Sequence, residues 1–260
     1  MDENNLLLIA GGGKFGKKAI IYGKKNGFKN ILVDNNPNCI PSKLITVKVK
    51  KTTDLQDFLA KANKGDLLFL NNDISIIYEI LKEISPNLII PVVPVHLLAK
   101  LIELKLQENL IELKVNEIIT KKTASEINEE ILLYSIPEKG VIYLSYAKEG
   151  EICPDNCIGP EKFCPTFKRE KPVTITQYLK NYFEIKDIIK IEKKQQRIAV
   201  VLESKQLKAG LGGLRGKDIL KIFESLQNNL DFLTKKTFNL TIATTCNCHG
   251  VVNFFKTSKS

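Results

Sequence analysis

The chain has 260 residues, 43% of them hydrophobic and 26% charged, a balance that excludes disordered and fibrous classes and leaves room for two domains with cores of their own. Lys and Arg number 39 against 29 Asp and Glu, a formal net charge of +10. The lysines are scattered, there is no Trp and aromatics reach 7%, so nucleic acid is not the expected partner.

No apolar run approaches the roughly 20 residues of a spanning helix. Leu6–Ala10 is too short for a signal-peptide core and lacks a basic lead-in. A cytoplasmic location without a membrane span is therefore expected. The predicted architecture is α/β: a Rossmann-like, parallel-sheet nucleotide-binding domain over 1–125, then a smaller α+β domain over 126–260 that carries most of the cysteines.

Leu6–Ala10 is continuously apolar, as befits a central strand covered on both faces. It runs directly into Gly11-Gly12-Gly13-Lys14-Phe15-Gly16, a G-x-G-x-x-G turn between a strand and a helix whose apolar positions include Phe15, Ala19, Ile20 and Tyr22. In this pattern Gly11 permits the tight turn, Gly13 lets a phosphate approach the backbone, and Gly16 lets the helix pack closely on the strand. Open N–H groups at the helix start attract the anion. A second strand, 31–33, ends in Asp34, at about the 20-residue spacing where a carboxylate takes ribose hydroxyls. Gly11, Gly13, Lys14, Phe15, Gly16 and Asp34 are the expected contacts of NAD(P) or another adenine nucleotide. Strands at 44–49, 67–70 and 88–93 then alternate with helices at 54–62 and 74–84, which predicts a parallel sheet.

The stretch 8–34 resembles the nucleotide-binding subdomain of potassium-transport regulators of the TrkA N-terminal or RCK type. That resemblance implies an NAD(H) or adenine-nucleotide site, a sensing role, and paired domains, hence a homodimer. The same region is similar to the front domain of ATP-grasp ligases, through Asp34-Asn35-Asn36-Pro37 and Pro41-Ser42. Too little chain follows it to supply the ATP-binding domains of such a ligase.

Pro91-Val92-Val93-Pro94-Val95-His96 forms a stiff rim at a strand end. His96 is a candidate general acid or base there, or a helix-start histidine bonded to backbone. Beyond it, 131–135 and 141–146 flank Pro137-Glu138-Lys139-Gly140 as a hairpin.

Cys153, Cys157 and Cys164 fall in a Pro- and Gly-rich loop, and Cys246-Asn247-Cys248-His249 follows an apolar strand at 240–243. In a reducing compartment such clusters point to metal more than to disulfides. The spacing C-x3-C-x6-C departs from the short knuckles of zinc sites, and the Cys-Pro pairs at Cys153 and Cys164 match cluster-binding loops. The expected centre is a 4Fe–4S cluster held by Cys153, Cys157 and Cys164 with Cys246 or Cys248, with zinc as the alternative. Cys39 reads as a buried or loop thiol. Gly210, Gly212, Gly213 and Gly216, before a helix at 218–226, form either a second anion nest with Lys205, Arg215 and Lys217 or a simple connection. Taken together, these features predict an NAD(P)-linked iron–sulfur oxidoreductase, or a redox sensor without turnover.

Overall fold

The computed structural model describes residues 5–259. In chain order the first elements are β1 (Leu6–Ala10), α1 (Lys14–Lys25), β2 (Lys29–Asp34), β3 (Val47–Val49), α2 (Leu55–Lys61), β4 (Leu67–Asn71), α3 (Ile76–Glu83), β5 (Leu88–Pro91) and α4 (Leu97–Gln107). Next come β6 (Ile111–Val115), α5 (Glu117–Glu126), β7 (Leu132–Ile136), β8 (Val141–Ser145), β9 (Phe163–Cys164), β10 (Arg169–Glu170) and α6 (Ile175–Tyr182). The chain continues through β11 (Ile189–Glu192), β12 (Arg197–Glu203), β13 (Lys205–Lys208), β14 (Leu211–Arg215), α7 (Gly216–Gln227), α8 (Leu230–Lys235), β15 (Asn239–Thr245) and β16 (His249–Lys259). It is a mixed α/β protein. Among the described residues no helix is long and apolar enough to cross a membrane.

The chain divides into two compact units. One runs to Leu101 and includes Leu211–Leu220; the other comprises Ile102–Gly210 and Lys221–Ser260.

In the first unit the strand order is β14-β5-β1-β2-β4-β3. β14 is antiparallel to β5, and the other neighbours are parallel. Every residue of β1 is buried, which is why its sequence is apolar on both faces. α1 covers the sheet with Gly16, Ala19, Ile20 and Gly23, a stripe at helical spacing. The registers bring the carboxyl ends of four strands to one edge: Ala10 opposes Val33 and Pro91, and Asp34 opposes Asn71.

The expected strand at 44–49 is shorter than its apolar pattern suggests, because a 3-10 turn at Ser42–Leu44 precedes Val47–Val49. The glycine-rich stretch expected as a loop is β14, paired through Leu214 with Ile89. Its last glycine, Gly216, lies where a Cβ would stand 1.9 Å from the Pro86 carbonyl oxygen, so that close approach demands glycine, and its N–H donates to Asn87 O at 3.2 Å.

In the second unit the order is β11-β12-β15-β16-β8-β7, with β6 also on β16. β12 and β15 run parallel and the remaining pairs are antiparallel. The hairpin β7–β8 turns through Gly140 at φ 61°. Ile142, Leu144, Ile175, Leu179, Val201 and Val252 belong to the core beneath. Thr174 caps α6 by accepting the Gln177 N–H, and the start of this helix supports the β15–β16 turn: Ile175 N–H donates to Asn247 O and the Thr176 hydroxyl to Cys246 O, both at 3.3 Å.

Candidate nucleotide site and cysteine cluster

In the first unit the glycine turn does three separate jobs. Gly11 has φ +106°, and a Cβ on it would meet Val92 O at 2.7 Å, so both conformation and space demand glycine. Gly16 brings α1 onto the turn, since a Cβ there would stand 2.1 Å from Gly11 O. Gly13 opens outward. It precedes α1 with no side-chain cap, and a Cβ on it would meet no heavy atom within 4 Å.

Asp34, at the end of β2, ties this turn to its neighbour strand. Its Oδ2 accepts the Gly12 N–H at 2.5 Å and its Oδ1 the Asn36 N–H at 2.7 Å. The loop after Asp34 folds back so that Cys39 packs on Gly12, with Ile40 N–H donating to Gly12 O at 3.1 Å. Burial, with the Asp34 charge adding to it, pushes the Cys39 thiol pKa up.

A cavity of about 400 Å³ is lined by Gly11, Gly12, Gly13, Asp34, Asp73 and Val92, among others. Its lining carries two carboxylates and no Lys or Arg. The Ser75 N–H, bonded to Asp73 at 2.9 Å, holds that carboxyl below the usual range. The lining thus offers an anion N–H groups and no cation; the main-chain N–H groups of Gly11 and Gly12 are already bonded to Val33 O and Asp34 Oδ2, and the lining carboxylates are of a kind that pairs with hydroxyls and amino groups.

Lys14 and Phe15 start α1 without lining the cavity, and the ammonium groups of Lys14 and Lys18 lie 5.9 and 5.8 Å from the Phe15 ring centroid. Pro94 and Val95 reach the cavity rim, whereas His96 does not. It stands immediately before α4, and its carbonyl accepts the Lys100 N–H at 3.1 Å.

In the second unit the two cysteine groups come together. Cys153 Sγ lies 3.4 Å from His249 Nε2, and Cys246 Sγ lies 3.9 Å from His249 Nδ1. Asn247 donates to Gly159 O at 2.8 Å, stitching the β15–β16 turn to the cysteine loop. Cys164 ends the first strand of a small hairpin, β9–β10, in which it opposes Arg169. Arg169 holds Glu151 through two bonds, at 2.9 and 3.0 Å, and also donates to Tyr146 O. Cys157 accepts Gly159 N–H on its sulfur at 3.3 Å, and its carbonyl accepts Gly210 N–H at 2.7 Å.

The thiols share one electrostatic environment. Burial raises the Cys153 pKa first, and the charges of Cys157, Cys164, Cys248 and Cys246 raise it further. Burial raises Cys248 too, against the pull of Lys171. A bound cation reverses both effects, because coordination deprotonates a thiol. Among the described residues no three Cys, His, Asp or Glu side chains already stand at ion-holding distances. Each loop cysteine has an exposed apolar neighbour: Ile152, Ile158 and Phe163.

Two residues join the sequence-derived set. His249 was visible beside the second cysteine pair but had no role there. Lys171 gave no signal, being one lysine among many.

Fold and sites thus define a mixed α/β protein with a glycine-turn cavity in one unit and a cysteine cluster in the other. Residues 98–258 match the C-terminal domain model of AF_1314, described as an uncharacterized protein, and residues 6–97 match the corresponding N-terminal domain model. The chain belongs to this AF_1314 family. It is 27% identical, over 257 residues, to an uncharacterized protein of Archaeoglobus fulgidus, covering 96% of this chain and 98% of that one. No solved structure matches it.

These matches correct the resemblance to TrkA N-terminal, RCK and ATP-grasp front domains, and the domain pairing drawn from that resemblance loses its basis there. The region that carried the resemblance lies wholly inside the AF_1314 N-terminal match. A glycine turn followed by an acid answers to phosphate and ribose, which unrelated families bind alike.

Proposed function

We propose that the chain is an NAD(P)-linked redox protein. NAD(P), or another adenine nucleotide, sits over the glycine turn of the first unit, and an iron–sulfur centre is held by Cys153, Cys157 and Cys164 with Cys246 or Cys248. The nucleotide supplies hydride chemistry and the cluster one-electron chemistry; the chain's own residues bind and orient both.

The observation that carries this reading is the gathering of five thiols and His249 from two distant segments into one place in the second unit. The donor set fits: four thiolates complete a 4Fe–4S or zinc shell, and the chain offers one more.

For the first unit, the reading is Rossmann-like. Support comes from the parallel run of β4, β2, β1 and β5 and from a cavity at their carboxyl ends, where ligands of open α/β sheets bind. His96 receives no catalytic role, since it stays off the cavity lining.

Anaerobically purified protein tests the proposal. Dithionite is expected to bleach a broad visible absorption, NADH is expected to bind in titration, and Gly13→Val is expected to abolish NADH binding while leaving the absorption and its bleaching by dithionite intact. A colourless wild-type protein that binds no adenine nucleotide would refute it.

A further inference from the structure

Lys171 is 3% exposed. Its ammonium donates to Cys248 Sγ at 3.0 Å and lies 6.0 Å from the centroid of the Tyr146 ring. Among the described residues no carboxylate pairs with it. A buried ammonium is costly unless an anion compensates it, and a neutral thiol is a poor anion. A metal-bound thiolate is a good one, because four thiolates around ferrous, ferric or zinc ions leave the shell with net negative charge.

The backbone places this lysine deliberately beside the cluster. Lys171 follows the β9–β10 hairpin, and its N–H donates to Lys162 O at 2.7 Å. The same hairpin carries Cys164 opposite Arg169. One small element thus presents a thiol and, from its far end, the ammonium that reaches Cys248.

The two candidate fourth ligands differ in setting. Cys248 is 8% exposed, and its backbone is fixed by Tyr146 N–H donating to its carbonyl at 3.1 Å. Cys246 is half-buried, its sulfur shares the His249 ring with that of Cys153, and among the described residues no ammonium donates to it.

We propose that Cys248, and not Cys246, completes the shell with Cys153, Cys157 and Cys164, and that Lys171 is the positioning residue that donates to its sulfur and offsets the charge of the four-thiolate centre. The assignment rests on the metal-centre reading above. Groups that hydrogen-bond to metal ligands typically contribute 10–100-fold in affinity, and hydrogen bonds to cluster sulfurs tune potential. Removing the ammonium makes the centre harder to reduce.

The test uses the full chain, prepared without oxygen, in wild-type form and as Cys246→Ser, Cys248→Ser, Lys171→Met and Lys171→Arg. Iron, zinc and sulfide are counted per chain, metal affinity is measured by chelator competition, and circular dichroism checks folding. Cys246→Ser is expected to keep its metal and Cys248→Ser to lose it. Lys171→Met is expected to bind metal 10–100-fold more weakly, with Lys171→Arg restoring affinity. If the centre is a cluster, the midpoint of Lys171→Met falls by about 59 mV, tenfold in a one-electron equilibrium.

Metal retained in Cys248→Ser but lost in Cys246→Ser would overturn the ligand assignment, and wild-type affinity in Lys171→Met would overturn the lysine's role. If Cys248→Ser fails to fold, the Lys171 pair decides. A wild-type chain without metal contradicts the proposed function itself, an outcome separate from the other two.

Discussion

Gly16 lies so close to Gly11 that a Cβ on it would stand 2.1 Å from the Gly11 carbonyl oxygen, while a Cβ on Gly13 would meet nothing within 4 Å. The two glycines therefore answer differently to substitution. Gly16→Ala forces α1 off the turn and is expected to cost about 1–3 kcal/mol, the range for overpacking. Gly13→Val, which puts a β-branched residue at the N-cap of α1, is expected to cost about 1 kcal/mol, to stay folded, and to abolish adenine-nucleotide binding. Thermal melts and NAD(H) and ATP titrations on both variants check this; nucleotide binding unchanged in Gly13→Val would remove the site.

Asp34 predicts cofactor choice. Its carboxylate faces the cavity beside Asp73, with no cation in the lining, so a ribose 2′-phosphate meets repulsion. NAD(H) is expected to bind more tightly than NADP(H) by at least tenfold, about 1.4 kcal/mol. Asp34→Asn keeps an oxygen for the Gly12 N–H while removing the charge, and should narrow that gap. Tighter binding of NADP(H) to the wild-type chain would contradict the assigned role.

How far the sequence alone carried these sites depends on how local each signal is. The β1–α1–β2 segment was readable because its signals are local: an apolar run, glycines at fixed offsets and an acid at the strand end. β14 was not. Glycine favours turns on its own, and only the pairing of Leu214 with Ile89 makes that stretch a strand of the first unit. The grouping of the cysteines was plain, since they cluster along the chain, but their meeting through His249 is tertiary. Lys171 was invisible because burial alone sets it apart, and a lysine in a basic chain reads as surface. The family-level resemblance failed because it rested on a turn whose chemistry many families share.

Tyr182 gives the second unit an alkaline signature. Its hydroxyl donates to Glu126 Oε2 at 2.5 Å, and burial, reinforced by that carboxylate, pushes its pKa up to about 12. The folded state thus keeps its proton where the unfolded chain, with a tyrosine pKa near 10, releases it. The stabilisation is full below about pH 10 and is lost as pH rises through about 12. Tyr182→Phe is expected to be less stable than wild type at neutral pH by on the order of 1 kcal/mol, allowing for solvent screening, and to lose less on going to alkaline pH. Denaturant midpoints from pH 8 upward, compared between the two proteins, report this. Parallel curves would show that the Tyr182–Glu126 contact is not coupled to folding.

The central claim is that Cys153, Cys157 and Cys164 act as one unit with a thiol of the β15–β16 turn around a metal. Binding that needs the folded site is also folding free energy, so metal and stability must be lost together. The direct measurement is iron, zinc and acid-labile sulfide per chain, with the melting temperature, for anaerobic wild-type protein and for Cys153→Ala, Cys157→Ala and Cys164→Ala. The wild type is expected to hold about four iron and four sulfide, each variant to lose both, and the melting temperature to fall by about 2–4 °C for each kcal/mol of lost stability. Wild-type protein from iron- and zinc-replete cells that carries no metal, and melts where all three variants melt, would contradict it.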